Sequence, residues 1–430
     1  MGDSEHVGRL QESGIDVIIT DHHKPTHEVP SAYAIVNPNK NDDDYPNKAL
    51  CGAGVAFKLV QALITKLSTF NFELSTRIPA GWEKWLLDMV GIATLSDMVS
   101  LSGENRMLAY YGLLVLRKSP RIGVRKLLQK LRINQKYITE DDVAFMITPR
   151  INAASRMDEP EAAFRLLSTC DESEAEMLVA HLDELNNKRK GAVSAMSKEI
   201  HKRVAQKDEL PDVLVVGDPH WKPGLLGLAA TKAVEFYKRP VFVWGRGDAD
   251  VIKGSARSYN GVDVVRLMSA TRETFLEYGG HTKSGGFSVA LEQVAYLETH
   301  LNDVFTAENA TETEDMQADA ILSLDDVTWK LYDDIAQLQP FGMDNPKPVF
   351  RFEQVPVVER DTFGKEKNHL KLIFQNSSGS FIQAIQFFYD ADGALAQVAK
   401  GDTITMLAHV EKSVFGGKPE VRLRVIDLVK

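Results

Sequence analysis

Apolar positions along the first part of the chain fall into two rhythms. Ile15 to Ile19, in IDVIIT, form an apolar run interrupted only by Asp16 that reads as a short buried strand, and the run stops at Thr20-Asp21-His22-His23-Lys24-Pro25. In GVAFKLVQALITKL, by contrast, Val55, Leu59, Leu63 and Leu67 recur at helical spacing, with Val60 and Ile64 beside them. WLLDMVGIATLSDMVSL is apolar nearly throughout, with Asp97 standing alone near its end. Alternation of this kind predicts a largely parallel α/β sheet up to about residue 170. From 172 to 206, Leu178, Leu182, Leu185, Val193, Met196, Ile200 and Val204 make a narrow stripe on an otherwise charged helix, the pattern of a helix that bridges two lobes.

A second α/β unit begins at DVLVVGD (212–218), continues through the helix GLLGLAATKAVEF and the strand PVFVWG, and closes near residue 305. Residues 306–320 are acidic and nearly free of large apolar side chains, so a linker is expected there. NHLKLIF, SFIQAIQFF, DTITMLAHV and EVRLRVIDLV then read as short strands, with FGGK (415–418) as a turn. In the last strand Val421, Leu423 and Val425 alternate with Arg422 and Arg424, giving one buried and one cationic face. Such strands predict a small β-barrel of the oligonucleotide-binding type. The expected boundaries are 1–171, 172–206, 207–305, 306–320 and 321–430.

Composition narrows the class. A chain of 430 residues is expected to form roughly two to four domains. Apolar content of 44% and charged content of 26% belong to a soluble globular protein, and no apolar run is long enough to span a membrane. The N-terminal stretch has no signal-peptide core. Two distant cysteines, Cys51 and Cys170, fit a reducing, cytoplasmic setting without a disulfide framework. Fifty basic against sixty acidic residues, a net charge of −10, exclude a surface coated in basic charge for duplex DNA. A narrow cationic channel, or an acidic site that holds phosphate through metal ions, remains compatible.

Five stretches carry candidate chemistry. Asp21-His22-His23 stands at the carboxyl end of a strand, where α/β sheets place ligands, and mixed imidazole and carboxylate ligation suits Mn²⁺, with Mg²⁺ also accommodated. A loop cap with two surface histidines is the competing reading. Asp97 lies among Leu95, Met98, Val99 and Leu101, costly surroundings for a carboxylate unless it is capped, paired or metal-bound. In PRINAASRMDEP (149–160), Arg150 and Arg156 are phosphate candidates near an expected helix start at Asp158 and Pro160. Lys253, Ser255, Arg257 and Ser258 in KGSARSYNGVDV offer donors for phosphate oxygens. GGHTKSGGFSV (279–289) combines Gly279, Gly280 and two further glycines with His281, Lys283 and Ser284, so backbone amides could approach an anion. YDADG (389–393) has the spelling of a metal loop but lies in the β-rich tail and is read as a turn.

Taken in order, these stretches resemble the DHH phosphoesterase superfamily and, more closely, its RecJ family of single-stranded-DNA-specific exonucleases. VIITDHH looks like the namesake motif, and GIATLSDMVSL followed by GENR is similar to the family's fourth. PRINAASRMD is close to a RecJ segment, GSARS and GGHTKSGGFS look like the DHH-associated domain, and LQPFGMDNPKPVF with HLKL resembles the RecJ oligonucleotide-binding domain. The resemblance covers nearly the whole chain. It implies an incomplete parallel-sheet DHH domain, the bridging helix, a DHH-associated α/β domain and the barrel. It also implies Mn²⁺- or Mg²⁺-dependent, 5′-to-3′ removal of nucleotides from single-stranded DNA in recombination and repair, with single-strand-binding and repair proteins as candidate partners.

Carried over by position, His22 and Asp97 are implied metal ligands, with Asp21 a further candidate, and His23 is implied to touch the scissile phosphate or a metal. Arg257 and His281 are implied phosphate contacts, with Gly279 and Gly280 giving access. The family's aspartate motifs that precede its DHH motif have no counterpart here, and HWKPG places Lys222 where a histidine is usual. The expectation is therefore a catalytically incomplete piece of an exonuclease. A non-catalytic single-strand-binding protein is the alternative, and a phosphoesterase for short or cyclic dinucleotides is disfavoured by the barrel.

Overall fold

The structure is a computed structural model, and it describes residues 4–25, 29–69, 78–247, 251–305, 317–364, 366–389, 393–414 and 419–429. Most of the linker expected at 306–320, the FGGK turn and the centre of YDADG lie outside these residues. The chain divides into two compact units. The first comprises Met1–Ser119, Lys136–Val143 and Met316–Lys430, and the second comprises Pro120–Gln135 and Ala144–Asp315. Within the second unit, helices Ile122–Leu131, Thr148–Arg156 and Pro160–Ser168 pack on the long helix Glu172–Val204.

In the first unit, β1 (Ile18–Thr20) and β2 (Ala34–Val36) form a two-stranded parallel sheet. Helices Gly52–Thr69, Leu87–Ser96 and Gly103–Leu116 follow. Leu50, Val55, Phe57, Val90 and Leu108 make the core beneath them. The expected buried strand is corrected here: β1 is three residues long, and Ile15 and Ile18 are 51% and 57% exposed. Among the described residues β1 has a sheet neighbour on one side only, so its apolar run is not enclosed in the way a larger parallel sheet would enclose it.

The same unit contains a seven-stranded sheet built from β8 (Ala320–Leu322), β9 (Phe350–Pro356), β10 (Glu359–Phe363), β11 (His369–Gln375), β12 (Phe381–Phe387), β13 (Thr403–Ser413) and β14 (Glu420–Val429), in the order β10-β11-β12-β14-β13-β9-β8. Period-two alternation sends Phe352, Leu370, Leu372, Phe374, Met406, Leu423 and Val425 into one core. Fixed contacts fasten this sheet's entry segment to the helical part. The Leu101 amide donates to the Met343 carbonyl at 2.8 Å, and Arg106 Nη2 donates to the Leu338 carbonyl at 2.8 Å.

The second unit has the 33-residue helix Glu172–Val204 as its axis, capped at its start by Asp171, which accepts from the Glu174 amide. β3 (Leu214–Asp218), β4 (Val241–Arg246), β5 (Val251–Arg257), β6 (Glu277–His281) and β7 (Ser284–Ala290) form a mixed sheet in the order β3-β4-β5-β7-β6. One face packs on helix Pro223–Tyr237 and on Val193, Met196, Ile200 and Val204 of the long helix. The other packs on helices Val264–Ala270 and Leu297–Val304 around Phe242, Phe275 and Phe287. No helix among the described residues is long and apolar enough to cross a membrane.

Candidate functional site

At the end of β1 the chain turns on Asp21. Its Oδ1 accepts from the His22 amide at 2.6 Å and the His23 amide at 3.1 Å, and lies 2.7 Å from His23 Nδ1. Partial burial pushes the Asp21 carboxyl up, and hydrogen bonds, those from His22 and His23 among them, pull it down, leaving the group below the usual carboxylate range. Asp21 therefore stays anionic, and His23 is left with Nε2 for an outside ligand. The ligand atoms of Asp21, His22 and His23 all lie within 4.8 Å of one another.

His22 Nδ1 lies 3.6 Å from Asp97 Oδ2. Two donors bound at about 2.1 Å to one ion stand roughly 3–3.7 Å apart, so this pair has the separation of two ligands to a shared metal. Asp97 caps the C-terminus of helix Leu87–Ser96 and is exposed, not enclosed among apolar side chains as its neighbours in sequence suggested. There its charge adds to the negative end of the helix dipole, which favours a cation. The donor set is two imidazoles and two carboxylates, a chemistry that fits Mn²⁺ or Mg²⁺.

Residues that sequence reading missed hold this turn in place. Asn39 Nδ2 donates to the His22 carbonyl at 2.7 Å, and the buried Asn37 donates to the His23 carbonyl at 2.9 Å. Gly52, which opens helix Gly52–Thr69, sits where a Cβ would lie 3.6 Å from His22 Cδ2. Behind it, Glu104 accepts from Lys58 at 2.5 Å, Tyr45 at 3.0 Å and Asn47 at 3.3 Å. Asn105, also buried, donates to the Ala49 and Ser100 carbonyls. The asparagines' only sequence signal was the NPN spelling at 37–39, which reads as a plain turn.

Burial pushes the Glu104 carboxyl up, but the Lys58, Tyr45 and Asn47 hydrogen bonds and the Lys58 charge bring it below its ordinary 4.5. A lowered folded value means the unfolded chain takes up the proton first. The contribution is thus whole above about pH 4.5 and fades as pH falls toward the lowered value. Glu104→Gln is expected to cost about 1 kcal/mol at pH 7 and progressively less below pH 4.5, read by urea unfolding across that range.

In the second unit, strand register gathers the anion-binding candidates. Arg257 pairs with Ser284 and Ser284 with His281; Ser255 pairs with Gly286 and Gly286 with Gly279; Lys253 pairs with Ser288. These residues share one face of β5-β7-β6, where Gly286 leaves Ser255 without a bulky neighbour on the β7 side and Val243 flanks it on β4. Gly280, at φ 142°, has no room for a Cβ against the Ser284 carbonyl. Arg257 Nη1 donates to Ser255 Oγ and the Ala256 carbonyl, both at 2.8 Å. Gly227 of helix Pro223–Tyr237 lies close enough that a Cβ would stand 2.5 Å from Arg257 Nη2.

The two arginines of PRINAASRMDEP part company. Arg150 is tied to Asp183 at 3.0 Å and to the Met146 carbonyl at 2.8 Å. Arg156 ends helix Thr148–Arg156 and donates to the Gly224 carbonyl at 2.9 Å. Arg150 lies in the first turn of helix Thr148–Arg156 and Arg156 ends it; the next helix starts at Pro160 as expected, with Glu159 rather than Asp158 as its N-cap. Lys222 is the N-cap residue of helix Pro223–Tyr237 and pairs with Asp158 at 3.0 Å.

The outward face of the C-terminal sheet carries rings and cations. His369 lies 5.1 Å from Phe363 and 5.3 Å from Phe387, and Arg424 stands 4.9 Å over the Phe387 ring. Phe388 is 77% exposed beside His369. Stacking rings interleaved with cations are what single-stranded nucleic acid needs from a protein surface.

Comparison with known proteins bears on this arrangement. Residues 2–94 match the model of the DHH family, N-terminal domain, and residues 318–427 match that of the RecJ OB domain. The single-stranded-DNA-specific exonuclease RecJ of Bacillus subtilis is 33% identical over 423 residues, covering 97% of this chain and 51% of that protein. The Haemophilus influenzae RecJ is 33% identical over 395 residues, covering 89% of this chain and 68% of its own length. A crystal structure of RecJ from Thermus thermophilus in complex with Mn²⁺ superposes with a TM-score of 0.81 at 28% identity, over 100% of this chain and 60% of that one. The chain thus spans from 51% to 68% of these relatives' own length. The DHH turn and the C-terminal sheet were each recognised independently, and kinship along the chain joins them: this chain belongs to the RecJ family of DHH phosphoesterases.

Proposed function

We propose that this chain serves a metal-dependent exonuclease acting 5′ to 3′ on single-stranded DNA in recombination and repair, with Mn²⁺ or Mg²⁺ as cofactor. The observation that carries the reading is the 3.6 Å approach of His22 Nδ1 to Asp97 Oδ2 beside an anionic Asp21. His22 and Asp97 would hold the metal, with Asp21 orienting His23 so that Nε2 can meet a metal or a phosphate oxygen. A bound metal would lower the pKa of a coordinated water and offset the negative charge that develops on the phosphate oxygens. In the second unit, Arg156, Lys253, Ser255, Arg257 and His281 would grip backbone phosphates, with Gly279 and Gly280 giving the strand access. Arg150 contributes less, because its guanidinium already serves Asp183.

The ring-and-cation face around Phe363, His369, Phe387 and Arg424 supports a second role for the same chain, sequence-tolerant binding of the single strand. The test separates the two. Purified chain is titrated with Mn²⁺, and 5′-labelled single strands and duplexes of equal length are assayed for binding and for degradation. Mn²⁺ binding with single-strand preference is expected. Asp97→Asn should weaken Mn²⁺ about tenfold by removing one anionic ligand, without loss of the fold. No Mn²⁺ binding, or preference for duplex, would overturn the reading.

A further inference from the structure

The long helix Glu172–Val204 carries two donors that its own unit leaves unsatisfied. Asn186 is fully buried, and its Nδ2 has no hydrogen-bond partner. One turn on, Arg189 Nη2 donates to Asn186 Oδ1 at 3.0 Å, yet the buried Arg189 Nε has no partner either. Leaving a buried donor unmade costs roughly 1–3 kcal/mol, more when it is charged. Two such donors, linked to each other by a hydrogen bond, call for a common acceptor.

The charge around them has the same sign. Asp183, three residues before Asn186, is engaged by Arg150 at 3.0 Å, with Lys130 at 3.9 Å. Among the described residues no carboxylate pairs with Arg189, Arg156 or Arg257. Burial first, then the charges of Arg156 and Arg150, pull Arg189 below its usual range, and Arg257 is lowered by burial and by Arg156. A guanidinium does not shed its proton in a protein, so relief must come from an anion. The planar fork of Arg189, with an amide donor beside it, matches the geometry of a phosphate oxyanion.

We propose that Asn186 and Arg189 form a phosphate-binding seat on the long helix, taking a phosphate of the single-stranded substrate's backbone. The proposal rests on the single-strand reading above for its ligand, but its donors are a property of this unit alone. Asn186→Asp is the deciding variant. It is nearly isosteric, replaces the orphaned donor with a carboxylate that pairs with Arg189, and should raise the unfolding temperature of the free chain while repelling an anion.

Two probes are used on the whole chain: inorganic phosphate, read by the rise in unfolding temperature, and a 5′-phosphorylated oligonucleotide, read by fluorescence anisotropy. At least one of these affinities is expected to fall about tenfold in Asn186→Asp. Arg189→Lys, which keeps the charge but loses the fork, should weaken the same probe and serves as the second variant should the first misfold. Unchanged affinity for both probes in a folded variant overturns the proposal. If the wild-type chain binds phosphate but no oligonucleotide, and the variant loses the phosphate response, the seat stands and the single-strand reading falls.

Discussion

Gly91→Ala is expected to destabilise the chain by about 2 kcal/mol and to weaken Mn²⁺ binding with it. Gly91 faces Gly112 where helices Leu87–Ser96 and Gly103–Leu116 cross. A Cβ on Gly91 would lie 2.7 Å from Gly112 Cα and 2.9 Å from its carbonyl carbon. Both are backbone atoms, so no rotamer change can relieve the clash and the helices must separate. Two effects oppose each other. Alanine in a helix interior gains about 1 kcal/mol over glycine, whereas overpacking a tight contact costs about 1–3 kcal/mol even where side chains can yield. With only backbone to move, the clash wins.

Function follows because helix Leu87–Ser96 carries Asp97 at its end, and any shift of that helix changes the 3.6 Å spacing to His22. Urea unfolding and Mn²⁺ titration on the same protein check both effects. Gly52→Ala is the control. Its Cβ would meet His22 at 3.6 Å, an ordinary contact, so stability and metal affinity should barely change. Equal behaviour of the two variants would remove the helix crossing from any role in placing Asp97.

What could be read from sequence divides along a physical line. The helix over Gly52–Thr69, the long helix, and strands β3, β4 and β11 to β14 were legible because each carries its own periodicity. The alternation of Arg422 and Arg424 with Leu423 and Val425 was realised as read. β1 was misjudged because an apolar run reports a preference for burial, not whether a second sheet neighbour is present; Ile18 shows the difference. The apolar surroundings expected of Asp97 failed for a related reason. Neighbours in sequence are not neighbours in space at a helix end, where Met98 takes φ 54° and its side chain points out, 68% exposed.

The candidate metal donors were found through their residue types at a strand end. Asn37, Asn39 and Asn105 were not, because they act by bonding distant carbonyls, and no local spacing announces that. Arg189 was hidden likewise. On a helix rich in charge, one arginine looks like a solvated surface residue until its partners are counted.

Arg257→Ala is expected to lower affinity for single-stranded DNA on the order of a hundredfold, whereas Arg150→Ala lowers it little. Both are half-buried arginines from stretches that looked alike in sequence. Their partners separate them. Arg150 is spent on Asp183, so its positive charge is already neutralised and its loss is a matter of stability. Among the described residues Arg257 bonds only neutral oxygens, those of Ser255 and Ala256, and those bonds orient the guanidinium without neutralising it. Removing it deletes a charge-assisted contact worth about 1.5–3 kcal/mol.

Salt dependence gives a signature that misfolding would not imitate. Losing one phosphate contact should reduce the slope of log affinity against log salt by about 0.7 for a single strand. Arg150→Ala should leave that slope unchanged even if it lowers the unfolding temperature. Gly227→Ala adds a finer test. Its Cβ would press on Arg257 Nη2, the far end of a flexible side chain, so the fold should survive while the guanidinium is displaced. Affinity should then fall by less than in Arg257→Ala, with most of the salt slope kept, because the charge is moved and not removed. If Gly227→Ala and Arg150→Ala prove indistinguishable in affinity and slope, the position of Arg257 is not what grips the strand.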